Sequence, residues 1–212
     1  MSSHVSAERT ALATELRDAG PDAPTLCAGW DTRMLLAHLV RREHSLVELG
    51  ARVKIPVVTA TAERAMRVYA DGHEYQHMLA TFSAGPPRWS PFAFGPAQEA
   101  INLLEFVIHH EDVRRAHPGT DPRQLSESLE QSVFARLGSI AHFALRSTPD
   151  QVELSWSGRQ SIRVGSGQAR VVVTGAPVEL ALVVFGRRRA ARVDYSGDPD
   201  AMDRLAGAAL GT

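Results

Sequence analysis

The segment "NLLEFVIHHEDVRRAHP", residues 102–118, carries the clearest potential for chemistry, because an apolar run leads directly into two histidines and two acids. Glu105 precedes His109 by four residues, so on a helix the two side chains lie one above the other on the same face. A carboxylate and an imidazole in this arrangement can bind one divalent ion. The same spacing is also typical of ordinary surface pairs, and spacing alone leaves both interpretations open.

The register of this helix selects between the two adjacent histidines. Consecutive residues on a helix diverge by about 100°, so His109 and His110 cannot bind one ion from the same face, and the spacing to Glu105 favours His109. His110 and the two acids that follow it then become candidates for the rim of the site or for supporting contacts. Asp112 could orient the ring of His109 or pair with Arg115, and the sequence does not decide between them.

A third ligand is available in the segment "LLAHLV", where His38 lies among leucines. An unpaired histidine is costly to bury in such surroundings, and a bound metal ion would explain it. A core histidine bonded to a backbone carbonyl is the alternative. A site of His38, Glu105 and His109 would leave one coordination position open, as is typical of catalytic zinc sites.

Four other features have a functional and a structural interpretation. His73 and His77 are also four residues apart and could bind a metal, but we interpret them as a solvated helix face. Cys27 could take part in redox or thiol-exchange chemistry, and we favour a packing role. Trp30 is predicted to anchor the entrance of the next helix. The arginines of "GRRRA", residues 186–190, could hold an anionic ligand or form a solvated turn.

The elements that must position these residues are mainly helices in the first two thirds of the chain. Asp31 is a suitable N-cap for the second helix, Pro96 suits the first turn of a later one, and less regular helical sequence is interrupted near Asp71. Long helices with short connections predict a bundle. The apolar periodicity predicts the long helices over residues 5–18, 32–50, 97–116 and 124–146.

The character of the sequence changes after residue 148. Short β-branched segments bounded by Gly and Ser predict four strands, and Asp198 is a suitable N-cap for a closing helix. We therefore predict a helical domain over residues 1–148 and a small α+β domain over 149–212. The strands are predicted in "VELSW", "SIRVGSG", "ARVVVTG" and "ARVDYSG", and the helices in "APVELALVVFG" and "DPDAMDRLAGAAL".

Composition excludes several functional classes. The 212 residues are 44% hydrophobic and 22% charged with a net charge of −1, so no overall field attracts nucleic acid or an anionic membrane. The single cysteine, Cys27, excludes an intrachain disulfide and a multi-cysteine zinc site, and no signal or membrane-spanning segment is evident. We predict a cytoplasmic protein. Phosphate-loop, dinucleotide-binding and serine hydrolase motifs are also missing from the sequence.

Two segments together resemble the mycothiol-dependent maleylpyruvate isomerase family, which belongs to the DinB-like metal-binding four-helix bundles. "LCAGWDTRMLLAHLV" resembles the opening motif C-x-G-W-x-x-x-x-x-x-A-H-L, and "EFVIHHEDVRRAHPG" resembles the later E-x-x-x-H segment, more narrowly in an actinobacterial branch. The resemblance implies an α+β fold, with a DinB-like four-helix bundle followed by a small C-terminal domain similar to sterol carrier folds. It also implies that His38, Glu105 and His109 bind a divalent metal, usually zinc, although nickel or another divalent ion also suits these ligands.

The resemblance further implies a metal-dependent enzyme that uses a low-molecular-weight thiol such as mycothiol in isomerase or transferase chemistry. Its partners would be that thiol and an electrophilic small molecule. The alternative hypothesis is a non-catalytic protein that binds a metal or a small ligand, with the C-terminal domain holding an apolar molecule. Metal ligands can persist in a fold while its substrate chemistry changes.

Overall fold

The computed structural model describes residues 4–44, 56–90, 93, 95–117, 119–208 and 210. The chain divides into two compact units, Met1–Thr120 and Asp121–Thr212. The first unit is helical, and the second combines helices with a sheet, so the predicted α+β fold class is confirmed. Among the residues described, no helix combines the length and apolar character required to cross a membrane.

The described part of the first unit is a bundle of helices. Its five helices are α1 (His4–Ala19), α2 (Thr32–His44), α3 (Pro56–Gly72), α4 (Tyr75–Ala84) and α5 (Gly95–Arg114). Helix α1 packs against α4 and α5, while α2 packs against α3 and α4. Fully buried leucines on α1 and α2, among them Leu12 and Leu36, form much of the core of this unit.

The local signals for these helices are confirmed where the structure describes them. The backbone N–H of Met34 donates to Asp31 Oδ1 at 2.8 Å, which is the predicted N-cap of α2. The predicted interruption near Asp71 separates α3 from α4, and α5 includes Pro96 in its first turn. The predicted end of α2 at Gly50 lies outside the described residues.

A buried ion pair fixes how α1, α2, α4 and α5 pack together. Arg9 on α1 donates to Glu43 Oε2 on α2 at 2.7 Å and to the carbonyl oxygen of Phe82 on α4 at 2.8 Å. Its guanidinium also lies 4.9 Å and 4.7 Å from the ring centroids of Phe82 and Phe106. Because a buried charge is costly without such partners, Arg9 holds these four helices in one arrangement.

The described part of the second unit is built on a four-stranded sheet. Its elements are α6 (Glu127–Ala144), β1 (Gln151–Trp156), β2 (Gln160–Val164), β3 (Arg170–Thr174), α7 (Pro177–Val184), β4 (Asp194–Gly197) and α8 (Pro199–Gly207). The strand order is β2-β1-β3-β4, in which β1 is parallel to β3 and the other pairs are antiparallel. Val152, Leu154 and Trp156 alternate along β1 and are buried on one face.

The predicted strands and helices of the C-terminal segment are present, and Asp198 Oδ1 accepts from the backbone N–H of Ala201 at 2.8 Å as the N-cap of α8. Helix α6 contacts α7 and β2 within this unit. In the predicted division into domains, α6 belongs to the helical domain of residues 1–148. This division stays a prediction, because residue contacts do not test which segments fold independently. The similarity to sterol carrier folds also stays a prediction.

Tyr75 supplies a test of the packing between α4 and α1. Its hydroxyl donates to the carbonyl oxygen of Leu16 at 2.6 Å, and burial raises the pKa of Tyr75 to about 12 from its usual 10.0. Between these two values the unfolded chain binds fewer protons than the folded protein. We therefore expect the free energy of unfolding to fall as the pH rises from about 10 to 12.

The matched variant is Tyr75→Phe, which keeps the ring and removes the hydroxyl. We expect it to lose about 1 kcal/mol of stability at neutral pH, as is typical for a lost hydrogen bond, and to show a flatter pH dependence above pH 10. Urea denaturation of both proteins at several pH values measures the difference. If the free energy of unfolding changed equally with pH in the two proteins above pH 10, titration of the Tyr75 hydroxyl would not be the cause.

Candidate metal centre

Helices α2 and α5 bring the three predicted ligand residues together. His38 Nε2 lies 3.1 Å from Glu105 Oε1, and His109 Nε2 lies 3.3 Å from the same oxygen. The two imidazole rings are edge to face, with centroids 5.3 Å apart. The donor atoms of all three residues lie within 4.8 Å of one another, which is close enough for them to hold one metal ion.

The contacts of these residues differ from the structural alternatives that the sequence left open. His38 contacts a carboxylate on another helix through Nε2, and its side chain is 25% exposed, so it is not simply a core histidine. The side chain of His109 is only 10% exposed, so its pair with Glu105 is not an ordinary surface pair. The Nε2 atoms of His38 and His109 both face Glu105 Oε1 in a partly open site.

Glu105 is an ionised carboxylate in this site. Burial raises the pKa of Glu105, but the charge of Arg42 and the hydrogen bonds with His109 and His38 outweigh this effect and hold the pKa well below its usual value of 4.5. Arg42 Nε lies 3.5 Å from Glu105 Oε1, and Arg42 also donates to Asn102 Oδ1 at 2.6 Å. Arg42 therefore stabilises the negative charge of the shared oxygen.

His109 uses both ring nitrogens. Nε2 faces Glu105, while Nδ1 lies 2.9 Å from Asp112 Oδ2. Burial lowers the pKa of His109, but the hydrogen bonds to Asp112, Cys27 and Glu105 together raise the pKa well above its usual value of 6.5. The shift favours the protonated ring in the metal-free protein, so a metal ion at Nε2 competes with a proton for that nitrogen.

The structure shows one of the two contacts that the sequence offered for Asp112. Asp112 contacts His109, whereas Arg115 pairs with Glu111 through its Nε atom. His110 turns to α1, where its ring nitrogens lie 3.4 Å from Glu8 Oε2 and 3.7 Å from Glu15 Oε2. The adjacent residues of α5 thus diverge as the helical period predicts.

Cys27 belongs to this network, a placement that our packing interpretation missed. Its Sγ donates to Asp112 Oδ2 at 3.1 Å and lies 3.9 Å from His109 Nδ1. These three residues form a second group whose donor atoms could hold a metal ion. The sequence gives one indication of this contact, which is the position of Cys27 in the loop that leads into the helix of His38. Trp30, from the same loop, contacts His38 with ring centroids 5.3 Å apart.

The other sequence candidates lie in contacts that hold the fold together. His73 lies in the break between α3 and α4, so it does not share one helix with His77, and its ring stacks on Tyr69 with centroids 4.0 Å apart. Within "GRRRA", Arg188 donates to the carbonyl oxygens of Leu205 and Ala208 at the end of α8. Arg188 is therefore engaged in capping that helix.

Comparison with known families places both ligand-bearing segments within one family domain. The model of the family described as mycothiol maleylpyruvate isomerase N-terminal domain matches residues 3–161. The chain belongs to this family. The match includes the segments of His38 and of Glu105 and His109, and the resemblance of the sequence to this DinB-like family is confirmed. No curated protein and no solved structure matches the chain.

The opposite pKa shifts in the centre predict a pH window of highest stability for the metal-free protein. The lowered pKa of Glu105 stabilises the fold above about pH 4.5, and this contribution is lost as the pH falls through the folded pKa. The raised pKa of His109 stabilises the fold below about pH 6.5, and this contribution is lost as the pH rises through the folded pKa. Both are complete only between these two values.

Denaturant unfolding of chelator-treated protein across the pH range measures this window. The control is Glu105→Gln, which removes the titrating carboxylate and weakens the support for the charged form of His109. We expect a smaller pH dependence in this variant on the acidic side and on the alkaline side. An unchanged profile in Glu105→Gln would show that the pair does not contribute.

Proposed function

We propose that this protein is a divalent-metal-dependent enzyme that uses a low-molecular-weight thiol, of the mycothiol type, in isomerase or transferase chemistry. The observation that carries the proposal is the convergence of His38 Nε2, Glu105 Oε1 and His109 Nε2 within 4.8 Å of one another. Family membership supports the thiol, because the family is named for mycothiol maleylpyruvate isomerase.

The donor set fits a divalent ion of the zinc type. Two imidazole nitrogens and one carboxylate oxygen are common zinc ligands, and three protein ligands leave a position for a small molecule. The exposed fractions of the side chains, 25% for His38 and 19% for Glu105, leave that side of the site accessible. We propose zinc, although the same donors also suit nickel.

The residues around the donors orient them and tune their charge. Arg42 keeps Glu105 ionised, Asp112 holds the far nitrogen of His109, and Trp30 packs against the ring of His38. Such supporting contacts reduce the freedom of the ligands before an ion binds. When bound, a divalent ion acts as a Lewis acid and lowers the pKa of a coordinated thiol or water toward about 7.

The partners in this proposal are a small thiol and an electrophilic small molecule. A thiol that loses its proton at neutral pH is a strong nucleophile toward an electrophilic carbon. The ion that would bind this thiol would be held by the side chains of His38, Glu105 and His109. The cytoplasmic location stays a prediction, and it agrees with chemistry that requires a reduced thiol.

The ligand assignment predicts the effect of three single substitutions. We expect His38→Ala, Glu105→Ala and His109→Ala each to abolish tight zinc binding, because each substitution removes one of the three ligand side chains. Titration of chelator-treated protein with zinc, in competition with a chromophoric chelator, measures the affinity. The matched control is His110→Ala, which we expect to bind zinc as the unmodified protein does.

The control also tests the helical register. His110 is as buried as His109 and contacts Glu8, so its removal perturbs packing at a comparable depth without touching the three donors. Loss of zinc in His110→Ala together with retention in His109→Ala would refute the assignment. Metal analysis of the purified protein sets the stoichiometry, for which we expect one ion per chain.

Catalysis is tested separately with thiol and electrophile. We expect the zinc-loaded protein to accelerate either the isomerisation of maleylpyruvate in the presence of mycothiol or the transfer of mycothiol to 1-chloro-2,4-dinitrobenzene, with activity lost in His109→Ala. Both reactions are followed by absorbance. Stoichiometric zinc without thiol binding or turnover would favour the non-catalytic alternative. Failure to bind any divalent ion would exclude both the metal-dependent enzyme and a metal-binding protein.

A further inference from the structure

One buried carboxylate oxygen joins the centre to the loop that precedes α2. Asp112 is fully buried on α5, and its Oδ2 receives two contacts, from His109 Nδ1 at 2.9 Å and from Cys27 Sγ at 3.1 Å. A buried carboxylate requires hydrogen-bond donors to offset the loss of water. His109 lies 3 residues before Asp112 on the same helix, whereas Cys27 lies 85 residues before it.

The loop that carries Cys27 is itself fixed against α5. The backbone N–H of Leu26 donates to the carbonyl oxygen of Asp112 at 3.0 Å, so the loop contacts this residue through main chain and side chain. Within the loop, Thr25 Oγ1 donates to the carbonyl oxygen of Trp30 at 2.7 Å, and the N–H of Trp30 donates to the carbonyl oxygen of Cys27 at 3.0 Å. Cys27 is therefore delivered to Asp112 by a folded loop.

We infer that Asp112 and Cys27 are positioning residues for the ion-binding nitrogen of His109. The inference rests on the proposed function, since it assigns Nε2 of His109 to an ion. A hydrogen bond from Nδ1 to Asp112 fixes the rotation of the ring and the nitrogen that keeps its hydrogen, so that Nε2 faces Glu105. The Cys27 thiol in turn holds the carboxylate oxygen that accepts this bond.

The structure offers a matched control for Asp112. Glu111 is the adjacent acid, it is equally buried, and it pairs with Arg114 and Arg115, neither of which is one of the three ligand residues. Substitution of either acid by its amide preserves shape and removes a buried charge. A general loss of packing would affect both variants, whereas a positioning role is specific to Asp112.

The test is a zinc titration of the chelator-treated full chain with the substitutions Asp112→Asn, Glu111→Gln, Cys27→Ala and Cys27→Ser. We expect Asp112→Asn to weaken zinc binding by about 10- to 100-fold, as is typical for a residue that orients a ligand, and Glu111→Gln to leave it within about twofold. Cys27→Ala should weaken it by roughly three- to tenfold. Cys27→Ser keeps a donor and should restore most of the affinity.

A spectroscopic readout separates positioning from stability. In zinc-loaded protein with labelled histidine, we expect the His109 Nδ1–H proton to resonate far downfield because it donates to a carboxylate. The signal should move upfield in Asp112→Asn, shift less in Cys27→Ala and stay in place in Glu111→Gln. If Asp112→Asn does not fold, the pair of Cys27 variants provides the same test through affinity and signal.

The outcomes distinguish this inference from the proposed function. Zinc binding by Asp112→Asn at the original affinity, with an unchanged His109 signal, would overturn the inference and leave the metal assignment intact. Equal affinity of Cys27→Ala and Cys27→Ser would exclude the thiol from the network. If the unmodified chain binds no zinc, the proposed function itself fails, and the inference fails with it.

Discussion

The structure depends on the pairing of ionisable side chains that α5 carries into the interior. Burying such groups is favourable only when each one finds an opposite charge or a hydrogen-bond partner. Some partners lie on α5 itself or at its end, and others come from α1, from α2 and from the loop between them, so the contacts that satisfy α5 also set its position. The pairs are Glu105 with His38, His109 and Arg42, His109 with Asp112, His110 with Glu8, and Glu111 with Arg115.

The candidate centre follows from this constraint. Two imidazole nitrogens and one carboxylate oxygen face each other because they hydrogen-bond to each other, and these are the atoms that an ion would use. Binding an ion therefore requires the loss of a hydrogen from each imidazole nitrogen that becomes a ligand, but little movement of the donors. The charge of Arg42 beside Glu105 favours the carboxylate and weakens the attraction of the site for a cation. The balance between these effects sets the affinity.

Family membership and geometry contribute different parts of the functional conclusion. The family match over residues 3–161 relates the chain to mycothiol maleylpyruvate isomerase, and it covers both segments that carry the donors. The fold alone does not determine the reaction, because the same scaffold can serve several chemistries. The proposed enzymatic role therefore rests on the three donors and on the partly exposed side that they share, and the C-terminal sheet contributes nothing to it.

The sequence by itself determined what depends on neighbouring residues. The pairing of Glu105 with His109 follows from the helical period, and the caps at Asp31 and Asp198 follow from local hydrogen bonds. The family resemblance implied that His38 joins Glu105, 67 residues along the chain, which the helical period by itself could not show. Only the tertiary structure decided that the oxygen of Asp112 receives the thiol of Cys27, 85 residues away. The helical period specifies which residues share a face, but not which face of another element packs against it. That choice depends on the packing of the whole bundle, including the buried partners that its charges require.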